Sequence, residues 1–225
     1  MADIIATIGP ASRGFKVLKR MAKEGMSIAR VNMKYASRKE LLEIKKALDI
    51  SGVKLMVDIL NLEQFSKVKD IDFDYIALAF TETEKQIKDL RKVTNAKIIA
   101  KIENKKGVKN IKGIINASDG LMVTRGDLGK NVRLEELPIY QKRIIDECNE
   151  KDKYAITATE MMLSMVKNKK PTKAEVSDVA NAVIDGSNAL MLSEETAIGK
   201  HPADSVKIMK KIIDTTNRYL SAKNE

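Results

Sequence analysis

The sequence predicts an α/β protein that closes as a single (β/α)₈ barrel, the fold known as a TIM barrel, and three observations predict it. Eight short apolar, β-branched segments recur along the chain, most of them separated by amphipathic stretches with helical spacing. The segments are continuously apolar and do not alternate strictly, which indicates strands covered on both faces. The length of 225 residues is close to the usual size of such a barrel, about 250 residues. We therefore expect residues 1–225 to form one domain.

The predicted strands and links follow one another in a regular order. The strands are expected at residues 3–9, 27–33, 54–60, 75–80, 97–103, 120–126, 154–160 and 189–195. The first link has an apolar stripe at helical spacing and ends at Gly25, which suits a C-cap. The second link opens with Ser37 and has Glu40 three residues later, the pattern of a capping box. Residues 61–73 are too short for a full helix, and residues 202–220 predict the eighth helix.

The apolar runs, the first residues and the cysteine content indicate the cellular compartment of the protein. No apolar run approaches the ~18 residues of a membrane span, and the first residues lack the basic and long apolar regions of a signal peptide. The single cysteine, Cys148, agrees with a reducing compartment. We therefore expect a cytoplasmic protein without membrane contact.

The net charge of +10 raises the question of a nucleic-acid partner. Lysines are scattered among acidic residues on helix-like segments, and aromatic residues are 4% of the chain with no tryptophan. This pattern favours solvated helix faces over a nucleic-acid site, and we expect no nucleic-acid partner. The positive charge remains compatible with a protein that handles anionic phosphates or carboxylates.

Polar and charged residues concentrate where the predicted strands end. Chemistry in such barrels lies at the C-terminal ends of the strands, because the loops there converge on one pocket. The residues concerned are Arg30, Asn32, Asp58, Lys101, Glu103, Asp127, Thr159 and Ser193. A single residue of this kind is most simply a solvated charge or part of a stabilising pair, but so many converging strand ends favour a site.

The end of the fifth strand carries the most informative pair. Lys101 and Glu103 lie two residues apart, so their side chains are expected to point to the same side. Glu103 and Asp127, from adjacent strands, are oxygen ligands of the kind that Mg²⁺, or Mn²⁺ in its place, prefers. Lys101 can stabilise negative charge on a bound enolate or a transferred phosphoryl group, and Gly126 permits an anionic group to approach the backbone closely. The sequence thus predicts a pocket that binds a small carboxylate or phosphate through a divalent metal.

Four segments resemble the barrel signatures of the pyruvate kinase family, in that family's order. They are "ATIGPAS", "KIENKKGV", "SDGLMVTRGDLG" and the long segment that begins "ATEMMLSMVKNKKPTKAEV". The resemblance implies the family's barrel fold. It also implies a Mg²⁺-dependent transferase of glycolysis, a kinase that acts on phosphoenolpyruvate or pyruvate and on ADP or ATP.

The resemblance further implies roles for the matching residues. Lys101 would offset charge on the phosphoryl group and the enolate, and Arg30 would contact the phosphoryl group. Thr159, with the amides at Gly126 and Asp127, would hold the substrate carboxylate. The remaining implied sites are Mg²⁺ binding at Glu103 and Asp127, monovalent-cation binding at Asn32 and Asp58, and nucleotide contacts at Thr7 and Pro10. Ser193 is expected to bind substrate because of its place at the end of strand eight.

The sequence also departs from the family's pattern. We expect the barrel domain alone, without the lid domain that the family inserts after strand three and without the regulatory domain after the last barrel helix. After strand three Asp58 is kept, but Ile59 replaces a threonine and Phe65 replaces an arginine. Phosphoryl transfer depends on water exclusion and nucleotide contacts, so metal and pyruvate-like binding are better supported than ADP binding.

Lys34 stands where the family has a serine among the residues that bind the activating monovalent cation. One hypothesis is that its ammonium takes the place of K⁺, paired with Asp58, in which case the activity would not require K⁺. The alternative is that Lys34 points to solvent after the strand end.

Three functions remain open from the sequence. The first is phosphoryl transfer between phosphoenolpyruvate and ADP by a minimal barrel. The second is a Mg²⁺-dependent lyase, decarboxylase or enolate-forming enzyme that acts on a pyruvate-like 2-oxo acid without a nucleotide. The third is a metabolite-binding homologue without turnover. The family counterpart of residues 173–186 borders a subunit interface, which implies a homo-oligomer.

Overall fold

The computed structural model describes residues 1–49 and 52–223, in which eight parallel strands form a closed barrel. Each strand pairs with its neighbour in chain order, and β1 pairs with β8 to close the barrel. The strands are β1 (Asp3–Thr7), β2 (Ile28–Asn32), β3 (Lys54–Ile59), β4 (Tyr75–Leu78), β5 (Lys97–Ile102), β6 (Gly120–Thr124), β7 (Tyr154–Ala158) and β8 (Ala189–Leu192). The predicted (β/α)₈ barrel is confirmed, whereas the extent of the domain, 1–225, stays a prediction.

Helices surround the barrel and connect its strands. They are α1 (Phe15–Lys23), α2 (Arg38–Leu48), α3 (Leu62–Ser66), α4 (Glu84–Arg91), α5 (Lys105–Lys109), α6 (Ile111–Ala117), α7 (Arg125–Leu128), α8 (Leu137–Asn149), α9 (Lys173–Ile184), α10 (Glu194–Ala197) and α11 (Pro202–Lys223), with 3₁₀ turns at Leu134–Glu136 and Leu163–Val166. The predicted capping box is present, since Ser37 accepts from the backbone N–H of Glu40 and the Glu40 carboxylate accepts from that of Ser37. Gly25, just after α1, has a φ of 115°, a conformation that favours glycine. None of the helices in the described ranges is both long and apolar enough to span a membrane.

The interior of the barrel changes from apolar to polar along the strands. Its apolar part includes Ile5, Ile28, Met56, Ile99, Met122, Ile156 and Met191, all buried. Residues two positions further along a strand point to the same side, and at five strands these are the buried polar residues Thr7, Arg30, Asp58, Lys101 and Thr124. The apolar layers stabilise the barrel, and the polar layer above them lies at the C-terminal ends of the strands, where a candidate site can be sought.

The connection between β3 and β4 is short. It contains α3 and lacks an inserted domain, as the sequence predicts. Phe65 in α3 is only 4% exposed and packs in the core between strands and helices. This side chain is therefore part of the core that stabilises the barrel.

Candidate active site

A buried group of charges occupies the barrel interior at the ends of β2, β3 and β5. We call it the charged cluster; it consists of Arg30, Asp58, Lys101 and Glu103, which are 6%, 3%, 6% and 1% exposed. Arg30 donates from Nε and Nη2 to Asp58 Oδ2 at 2.9 and 2.6 Å. Its Nη1 donates to Thr7 Oγ1 at 2.8 Å. The arginine fork is therefore held on two sides before any ligand arrives.

Lys101 lies between the two carboxylates of the charged cluster. Its Nζ is 3.2 Å from Asp58 Oδ2 and 3.2 Å from Glu103 Oε1. Lys101 and Glu103 thus face the same side of β5, as the alternation of a strand predicts. Two cations and two carboxylates balance one another, which is the condition for keeping ionised groups buried.

Glu103 is held by a backbone group that the sequence did not indicate. The N–H of Phe80, just after β4, donates to Glu103 Oε2 at 2.6 Å. Phe80 has a φ of 47°, an uncommon conformation for a bulky side chain, and such strain is often found at functional sites. Burial raises the pKa of Glu103, and the charge of Lys101 and the Phe80 hydrogen bond offset only part of that rise. A cation near this carboxylate would therefore favour its ionised form.

A second group of predicted residues meets at the ends of β6 and β7. The N–H of Gly126 donates to Thr159 Oγ1 at 2.7 Å. Asn131 joins this group to the charged cluster, because its Nδ2 donates to the backbone oxygens of Glu103 and Asp127 at 3.1 and 2.9 Å. The two predicted metal ligands thus lie on backbone segments tied to one side chain.

Arg125 holds the turn after β7 and was not singled out from the sequence. It is 8% exposed and donates to the backbone oxygens of Thr159 and Glu160 at 2.8 and 2.9 Å. It also forms an ion pair with Asp178 of α9 at 2.6 Å. Thr159 and Glu160 both have positive φ values, 69° and 54°. An arginine directly after a buried strand was the only sequence signal for this role.

The residues present fit a divalent cation. Glu103 contributes a buried carboxylate and Asp127 one whose side chain is 43% exposed. The hydroxyl oxygens of Thr124 and Ser193, at the ends of β6 and β8, are buried without a hydrogen-bond partner. Within the described residues no group of three or more histidine, cysteine, aspartate or glutamate side chains forms a metal-binding set. Two carboxylates completed by water and substrate oxygens are an arrangement that Mg²⁺ accepts.

The predicted pairing of Lys34 with Asp58 is wrong. Asp58 is paired with Arg30 and Lys101, while Lys34 is exposed and its Nζ lies 5.4 Å from the centre of the Tyr35 ring. The physical reason is local: Asn32 Oδ1 accepts from the backbone N–H of Lys34 at 3.0 Å, just where β2 ends and the chain turns. Lys34 points away from the buried carboxylate, as the alternative hypothesis stated.

The two residues that were predicted to contact a nucleotide, Thr7 and Pro10, lie in different surroundings. Thr7 belongs to the polar interior, where its Oγ1 donates to the backbone oxygen of Leu192 at 2.9 Å and accepts from Arg30. Pro10 is exposed on the turn beyond β1. The nucleotide role of both residues stays a prediction.

Glu195 is a fully buried carboxylate that connects β7 and β8, and the sequence drew attention only to its neighbour. Its Oε1 accepts from the N–H of Met162 at 3.0 Å and its Oε2 from that of Ser193 at 2.7 Å. Burial is the main cause of the raised pKa of Glu195. The residue thus joins the backbones that carry Thr159 and Ser193.

Glu195→Gln is expected to destabilise the protein, because the new amide nitrogen cannot accept the second backbone N–H; one unsatisfied buried donor costs about 1–3 kcal/mol. A raised folded-state pKa means that the carboxyl stabilises the fold most below its ordinary pKa of 4.5 and less as the pH rises through the folded-state value. The stability deficit of the variant should therefore be largest at low pH and narrow as pH rises. Urea unfolding of both proteins across this range measures it; a deficit that widens with pH would contradict the assignment.

The structure defines the class of protein as a parallel (β/α)₈ barrel with a lysine, an arginine and two carboxylates buried at the C-terminal ends of its strands, where chemistry in such barrels lies. A family model described as "Pyruvate kinase, barrel domain" matches residues 35–206. The chain belongs to the pyruvate kinase family.

Curated relatives agree with this family. The chain is similar to the pyruvate kinases of Methanocaldococcus jannaschii, 41% identical over 73% of the chain, and of Geobacillus stearothermophilus, 42% identical over 80%. It is also similar to that of Sporosarcina psychrophila, 49% identical over 64%. The matched parts span 38%, 32% and 25% of those relatives. The chain therefore covers well under half of the length of each relative. All three relatives belong to a family of transferases.

Proposed function

We propose that this chain transfers a phosphoryl group between phosphoenolpyruvate and ADP, with Mg²⁺ as the metal or Mn²⁺ in its place. The observation that carries the proposal is the buried Lys101 ammonium, 3.2 Å from both Asp58 and Glu103 at the end of β5. A barrel needs no buried lysine for stability, since apolar residues of similar volume often serve as well. A lysine at this position can instead neutralise charge that develops during a reaction.

The proposed roles follow from charge and position. Arg30 contacts the transferred phosphoryl group, and Lys101 stabilises the negative charge left on the enolate oxygen when that group leaves. Thr159 and the backbone at Gly126 and Asp127 orient the substrate carboxylate. The enolate then takes a proton at C3 and becomes pyruvate.

Glu103 and Asp127 would hold the metal. When bound, Mg²⁺ supplies positive charge that polarises substrate oxygens. Glu103→Gln is expected to weaken Mn²⁺ binding by about tenfold or more. Mutation of even an outer-shell partner of a metal typically lowers metal affinity by about 10–100-fold. Paramagnetic resonance titration with Mn²⁺ measures this, and Glu84→Gln on the exposed start of α4 is the matched control. Equal affinity of the Glu103 variant and the wild type would reject the ligand assignment.

A second candidate is an enolate-forming enzyme that acts on a pyruvate-like 2-oxo acid without a nucleotide. Two observations favour it, the short β3–β4 connection and the burial of Phe65 at a position where the family's arginine would be expected. Both reduce the number of contacts that this chain can make with a nucleotide. The charged cluster and the metal ligands would serve this reaction equally well.

One pair of assays separates the candidates. Purified protein with Mg²⁺ is tested for ADP-dependent formation of pyruvate from phosphoenolpyruvate, and for metal-dependent exchange of the C3 protons of pyruvate. Phosphoryl transfer supports the first function. Exchange alone supports the second, and ligand binding without either reaction supports a metabolite-binding protein. The implied self-association stays a prediction that light scattering tests.

A further inference from the structure

Lys130 lies beside the proposed metal site and belongs to none of the groups described so far. Its Nζ is 3.1 Å from Asp127 Oδ1, and the two side chains are 75% and 43% exposed. The backbone N–H of Lys130 donates to the Asp127 backbone oxygen at 3.2 Å, a turn that keeps the two residues close. One of the two proposed metal ligands is thus already paired with an ammonium.

The other proposed ligand has an equivalent partner. Glu103 is paired with Lys101 at 3.2 Å, but there both side chains are buried, whereas the partner of Asp127 reaches it from solvent. The difference matters because an exposed ion pair is worth little and opens readily. Lys130 can therefore leave Asp127 at small cost, while Lys101 is held in place.

A further carboxylate lies close to the backbone that precedes Asp127. Glu160, just after β7, has its Oε1 3.9 Å from the point where a Cβ at Gly126 would stand. Glu160 thus adds a carboxylate beside the Gly126–Asp127 segment that Lys130 contacts.

We propose that Lys130 competes with the divalent metal for Asp127, so that the Lys130–Asp127 pair must open before the metal binds. This inference rests on the proposed function, since it assumes that Asp127 is a metal ligand. Lys130 is then a positioning residue that sets the affinity for the metal. In the metal-free protein it balances part of the negative charge at the rim.

The competition has a sign and a size that can be measured. An ammonium close to a ligand repels a divalent cation and partly neutralises the carboxylate that would bind it. For exposed charges a few ångströms apart, the effect on affinity is about three- to tenfold at low salt. Salt screens both interactions, so the effect should shrink as ionic strength rises.

The test is a titration of the whole chain with Mn²⁺, followed by paramagnetic resonance at low and high salt. Lys130→Met is expected to bind Mn²⁺ about three- to tenfold more tightly than the wild type, in line with the Coulomb estimate. Lys130→Arg keeps the charge and should bind as the wild type does. Lys92→Met is the matched control, because Lys92 also pairs with an aspartate three residues away and is 73% exposed.

Three outcomes would overturn the proposal in distinguishable ways. If Glu103→Gln weakens Mn²⁺ binding but Lys130→Met leaves it unchanged or weaker, the competition is rejected and the metal site stands. If no form shows Mn²⁺ binding that depends on Glu103, the metal site fails and this inference fails with it. A gain in affinity that Lys92→Met reproduces would indicate an effect of net charge alone and would also reject the competition.

Discussion

Lys101→Met is expected to remove turnover while Mn²⁺ binding persists. The ammonium is the buried cation at the end of β5, 3.2 Å from Glu103 Oε1, and in the proposed reaction it offsets the charge of the enolate after the phosphoryl group leaves. Loss of one preorganised stabilising group of this type typically costs about 10²–10³-fold in rate. Metal binding should be retained or become tighter, because an ammonium beside Glu103 is removed. Steady-state assays and Mn²⁺ titration of the same preparation measure both quantities.

A loss of activity through unfolding has to be separated from a loss of chemistry. Lys101 also pairs with Asp58, and removing one partner of a buried pair costs about 3–5 kcal/mol. Urea unfolding therefore accompanies the assay, and activity is compared where the variant is folded. Lys97→Met, at the exposed start of the same strand, is the control. A folded Lys101 variant with wild-type turnover would mean that this side chain has no catalytic role.

Arg125→Met is expected to weaken both the fold and the binding of the substrate carboxylate. Its guanidinium is the donor that connects Asp178 with the backbone oxygens of Thr159 and Glu160. Hydrogen bonds to charged groups contribute about 1.5–3 kcal/mol each, so we expect a stability loss of roughly 3 kcal/mol once Asp178 regains water. The left-handed turn at Thr159 would also relax. Urea unfolding measures the first effect, and KM for phosphoenolpyruvate measures the second.

The changes in KM and kcat of the Arg125 variant distinguish a residue that positions the substrate from one that takes part in the chemical step. Arg125 does not touch the proposed reacting atoms, so KM should rise more than kcat falls. Arg143→Met, on the exposed side of α8, is the control and should change neither quantity. An Arg125 variant of normal stability and normal KM would show that the turn at Thr159 and Glu160 keeps its conformation without the Arg125 hydrogen bonds.

Much of the fold follows from local patterns. Eight apolar segments of strand length and amphipathic links predicted the barrel, and the capping box at Ser37 predicted where α2 begins. All eight predicted strands ran past the observed strand ends, into the first residues of the loops at the rim. Local patterning is informative here because each strand must be buried on both faces.

The candidate site could be predicted only in part. Strand alternation and a common rim place Lys101 beside Glu103, and the structure agrees. Partner choice was not predictable: Asp58 is held by Arg30 and Lys101, and the proposed pairing with Lys34 is wrong because the chain turns away after Asn32. Which atoms meet depends on register and side-chain conformation, and these couple residues far apart in the chain.

Hydrogen bonds between a carboxylate and a backbone N–H group could not be predicted from the sequence, for a related reason. The N–H of Phe80 holds Glu103, and Glu195 binds two N–H groups from different segments. Neither role depends on a motif, since any residue has a backbone amide and a glutamate in a loop has many uses. Such contacts can be recognised only when the closed barrel brings the strand ends together.

The sequence by itself determined the barrel and the residue types at the rim, because hydrophobic periodicity and strand alternation are local properties of the chain; the family followed from the resemblance of four segments to known signatures. Only the tertiary structure decided which charges are buried together, which carboxylate is held by Phe80 and which by Lys130. The reason is that the energy of a buried charge depends on its neighbours in space, and these come from different strands.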